Sequence, residues 1–172
     1  IKSAVPAEPA FNFTYEYELD RYFYYLTGCN EPGLILVLVP GAKEEFIMYV
    51  EPKNFKKEMW GEMHIGIEGA KEIYGAQAAY PIKEFKDKIG RYTWKKDKVY
   101  VNFNDPAFVK EVSAKSLWPT GKKLVDIRGI LDDMRLIKGP EEIEIMQKAI
   151  DMTVEGLNNT MMAAEPGMYE YH

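Results

Sequence analysis

The stretch RYFYYLTGCNEPGLILVLVPG, residues 21–41, sets four aromatic rings side by side, then a turn, then six apolar residues in a row. Its reading decides the fold. Asp20 can cap a short helix whose apolar face is Leu19, Phe23 and Leu26. Gly28 suits the left-handed stop of that helix. CNEPG is then a turn, and LILVLV reads as a strand buried on both faces. The turn must hold the helix against the sheet, so Phe23 and Tyr25 are expected in the core. No charged or hydrogen-bonding set surrounds the rings, so they read as scaffold rather than as a ligand platform.

Working outward, PGAKEE turns the chain into a second strand over residues 46–50, a hairpin with a longer loop. Residues 1–14, with Pro6 and Pro9, read as an irregular lead-in. Asn54 can cap a short amphipathic stretch that reaches Trp60 and ends at Gly61. Residues 70–74 give a helical turn or two, stopped by Gly75. Pro81 opens a helix with Ile82, Phe85 and Ile89 on one face. KVYVNF alternates and reads as a strand. Pro106 begins a helix to about Leu117, with Phe108, Val109 and Val112 inward.

The character then changes to mostly helix. Asp126 is read as the cap of a helix carrying Ile127, Ile130, Leu131, Met134 and Leu136. A longer helix has Pro140 at its first position, with Glu141 and Glu142 in its first turn. Ile143, Met146, Ile150, Thr153, Leu157 and Met161 step by three and four, which predicts a buried stripe. Pro166-Gly167 ends that helix. Little chain remains to cover the stripe, so a piece of a longer protein is expected.

Of the 172 residues, 47% are hydrophobic and 28% charged, a globular composition. The net charge of −5 argues against a general nucleic-acid binder, which needs a basic stripe. No apolar run approaches the roughly 20 residues of a membrane span. Cys29 is the only cysteine, which excludes an internal disulfide and fits a reducing, cytoplasmic setting.

Catalytic signatures are sparse. The two histidines, His64 and His172, form no H-E-x-x-H, and His64 reads as an ordinary, partly exposed residue. Ser113 and Ser116 sit in no nucleophile elbow and are expected to face solvent. Cys29 has no local signature of a reactive thiol. Asp132 and Asp133 point about 100° apart on a helix and cannot share one site. GIEGAKEIYG lacks the spacing of a phosphate loop. Trp60 stands apart. In KKEMWGEMHIG a large ring ends a charged stretch and is followed by glycine. It reads either as core packing or as a ring presented to a ligand or partner, where tryptophan is enriched.

Five stretches, FYYLTGCNEPGLILVLVPG, EPKNFKKEMWG, AAYPIKEF, DDMRLIKGPEEIEIMQKAIDMT and PGMYEYH, together resemble bacterial Xaa-Pro aminopeptidases (aminopeptidase P) in order and spacing. MRLIKGPEEI is shared with prolidases and other creatinase-fold relatives. The combination of YYLTG, NEPG, EMWG and GMYEYH is more specific.

The resemblance implies an α/β fold: a creatinase-like N-terminal domain with a mixed sheet flanked by helices over residues 1–123. A linker helix (124–139) and the start of a pita-bread catalytic domain (140–172) would follow. It implies a parent that removes the N-terminal residue from peptides with proline second, using two divalent metal ions, manganese being the expected element. The family's metal ligands and proton-handling histidines lie beyond the EYH segment. Residues 1–172 are therefore expected to hold no metal or catalytic residue and to be inactive alone. The resemblance also implies a homo-oligomer, dimer or tetramer, in which Trp60 reaches the active-site mouth of a neighbouring subunit. Here Gly61 stands one position early, and EMHIG lacks the paired arginines often seen after the tryptophan. Glu18-Leu19 replaces an arginine–glutamine pair. A prolidase, another creatinase-fold hydrolase and a non-catalytic protein-binding module of the same fold stay open as alternatives.

Overall fold

Asp20 starts the first helix, α1 (Arg21–Thr27), by accepting the Phe23 N–H at 2.7 Å. Gly28, at φ +68°, stops it, and its N–H donates to the Tyr24 carbonyl at 2.7 Å. Asp20→Ala is expected to cost about 1 kcal/mol, read as a lower urea midpoint. The computed structural model describes residues 1–4, 18–54, 59, 64–94, 96–116, 123–169 and 171. They divide into two units, Ile1–Gly129 and Ile130–His172.

In the first unit, β1 (Ile35–Leu38) and β2 (Phe46–Val50) form the expected antiparallel hairpin, with Ile35 opposite Tyr49. After β2 come α2 (Gly66–Glu72) and β3 (Ala78–Pro81), which pairs parallel to β2. A 3-10 turn (Ile82–Glu84) leads into α3 (Phe85–Thr93). β4 (Lys98–Val101), α4 (Pro106–Ser116) and β5 (Lys123–Asp126) form a second parallel crossover, with β4 and β5 in their own two-stranded sheet. Asp105 caps α4 by accepting the Phe108 N–H at 2.9 Å, with Pro106 just inside.

The sheet β1–β2–β3 is buried on both faces, and side-chain alternation sorts its residues. Ile35, Ile47, Tyr49 and Ala78 join Phe85, Ile89, Phe108 and Val112 on one side. Leu34, Leu36, Met48, Val50 and Ala79 join Phe23, Cys29 and Ala70 on the other. Tyr49 is the hub of the first cluster. Its ring meets Phe85 edge-on at 5.3 Å, and its hydroxyl lies 2.6 Å from that of Tyr92. Burial, reinforced by the Tyr92 hydroxyl, pushes Tyr49 ionisation upward, so the phenol stays neutral.

Four expectations are corrected. Residues 1–4 are not irregular in full: Lys2 bridges to Ile35, and Ser3 exchanges bonds with Leu34, its hydroxyl accepting the Leu34 N–H at 2.8 Å. Tyr25 is half-buried outside the core clusters, because on a seven-residue helix the inward face falls to Phe23 and Leu26. The helix expected from Asp126 begins at Arg128, since residues 123–126 are committed to β5. Asp126 instead accepts from Arg128 Nε at 2.7 Å, and this bond holds its carboxyl below the usual carboxylate range. The stabilisation is in place at neutral pH and is lost as pH falls through the depressed value.

The fourth concerns the second unit. It contains most of α5 (Arg128–Leu136) and all of α6 (Pro140–Ala163). Glu142 reaches back to the Gly139 N–H at 2.7 Å, so the acidic first turn closes the helix start. The stripe exists but is not buried: Ile143 is 56%, Ile150 51% and Leu157 59% exposed. Periodicity marks the apolar face, and burial needs a partner that the described residues do not provide.

Candidate functional site

Trp60, the ring singled out by sequence, lies outside the described residues, as do residues 55–58 and 61–63 and His172. The described site is the frame from which the Trp60 segment departs and to which it returns.

That frame is built on the turn between Gly28 and Gly33. Both glycines have positive φ, +68° and +74°, which L side chains rarely adopt. The turn is fastened on both sides. The Thr27 hydroxyl accepts the Cys29 N–H at 3.0 Å, and the Gly33 N–H donates to the Ala4 carbonyl at 3.0 Å. Cys29 is fully buried, and burial pushes its thiol upward. A buried thiol of raised pKa is a packing residue, not a nucleophile.

Between these fastenings stands Glu31. Its Oε1 lies 2.6 Å from His64 Nδ1, and its Oε2 accepts the Ile65 N–H at 2.9 Å. A carboxylate can only accept, so Nδ1 carries the proton. The two side chains are 10% and 18% exposed, so the pair is shielded from the solvent that weakens surface ion pairs. Gly66 follows at φ +66°. A Cβ placed on it would meet Lys53 Cγ at 2.7 Å, so the stem of Lys53 lies directly against the backbone there.

His64 thus has a specific partner 33 residues away. Sequence reasoning missed Glu31, because it lies inside a turn already explained by its glycines and proline. Ser113 is half-buried on α4 rather than solvent-facing. Asp132 and Asp133 are exposed on α5. Among the described residues, no group of three or more His, Cys, Asp or Glu is placed to hold a metal ion.

The aminopeptidase P N-terminal domain model matches residues 7–100, more than half of the chain. The chain belongs to this family. The aminopeptidase P domain is 31% identical over 163 residues to a Xaa-Pro aminopeptidase of Haemophilus influenzae, covering 92% of this chain and 37% of that protein. It superposes on an aminopeptidase of Pseudomonas aeruginosa, PepP, with a TM-score of 0.88 and 26% identity, covering 100% of this chain and 41% of the other. A zinc-substituted Escherichia coli aminopeptidase P in complex with product gives a TM-score of 0.86 and 25% identity, over 100% and 42%. The chain thus spans about two fifths of the length of these relatives. The mixed α/β architecture is that of the family's N-terminal domain. No helix among the described residues is long and apolar enough to cross a membrane.

Proposed function

We propose that this aminopeptidase P domain is the N-terminal part of a metal-dependent peptidase that releases the first residue from peptides with proline in second position. The observation that carries this reading is the match along the whole chain to the P. aeruginosa aminopeptidase at a TM-score of 0.88. Support also comes from the H. influenzae Xaa-Pro aminopeptidase, similar over 92% of the chain. The bond before proline is a distinct target, since proline's amide is tertiary and its φ is fixed.

On this reading two divalent metal ions, with manganese as the expected element, act in the parent outside residues 1–172. The zinc-substituted E. coli relative supports metal dependence. The domain supplies subunit contacts in a homo-oligomer, and Trp60 forms a wall of a neighbouring subunit's substrate site. A single buried, unpaired cysteine is in keeping with a cytoplasmic setting.

Substrate length tests the assignment. The full-length parent is expected to release Arg from Arg-Pro-Pro at least about tenfold faster than from the dipeptide Arg-Pro, because a longer peptide offers binding energy beyond the scissile bond. A preference for the dipeptide would instead mark a prolidase.

A further inference from the structure

We draw no further inference here: the strongest candidate, the exposed apolar face of the long helix α6 that carries Ile143, Met146, Ile150, Leu157 and Met161, supports no proposal because nothing among the described residues shows what covers it.

Discussion

Phe23→Ala is expected to destabilise the chain by about 3–5 kcal/mol, the usual cost of removing a fully buried phenyl ring. Phe23 has no exposed surface, and it is the one fully buried residue of α1. A helix of seven residues does not hold itself together in water, so its packing must fix it. Phe23 shares its cluster with Leu34 and Leu36 from the strand that follows, and with Met48 and Val50 from the next. The ring is therefore the contact through which helix, turn and sheet become one unit. Tyr24 next to it is 46% exposed, and Tyr24→Ala is expected to stay within about 0.5 kcal/mol of the parent. Urea unfolding of the two variants measures the contrast. Equal losses would mean that the outward rings carry load as well, and the division into core and surface rings would fall.

What the sequence made legible here is what local chemistry controls. Asp20 and Gly28 bracket α1 as their side chain and backbone preferences require. Within the run 34–39, Ile35–Leu38 forms a strand in a sheet that is covered on both faces, with Leu38 at its end 44% exposed. Ile82, Phe85 and Ile89 face one core as their spacing predicts. The parts that escaped depend on partners far along the chain. β3 begins Ala78-Ala79 and ends at Pro81, residues with little strand preference, and it exists because β2 offers a parallel edge. β5 is four residues long and is defined by its pairing with β4. Residues 1–4 acquire order only against β1. The α6 stripe was legible as a face and not as a burial state, since periodicity carries no information about what packs on it. Trp60 stands out in the sequence because a large ring before a glycine is unusual, but it lies outside the described residues. The pairing of His64 with Glu31 is not legible in the sequence, because no spacing rule links positions 33 residues apart.

The second large effect concerns where catalysis resides. Residues 1–172 alone are expected to release no N-terminal residue above background, a loss on the order of 10⁶ or more relative to the full-length parent. The chain spans 37% of the H. influenzae relative, and the proposed function has the metal ions acting outside residues 1–172. Three of the described acidic residues are engaged in holding the fold: Glu31 with His64 and Ile65, Asp126 with Arg128, Glu142 with the start of α6. Each of these bonds orients backbone or closes an element.

The most direct measurement is release of Arg from Arg-Pro-Pro by the full-length parent and by residues 1–172 in parallel, each stripped with a chelator and then resupplied with manganese. The account predicts release by the full-length protein that disappears on stripping and returns with the metal, and background release by residues 1–172 throughout. Release by residues 1–172, or a full-length protein that stays silent with metal restored, would contradict it.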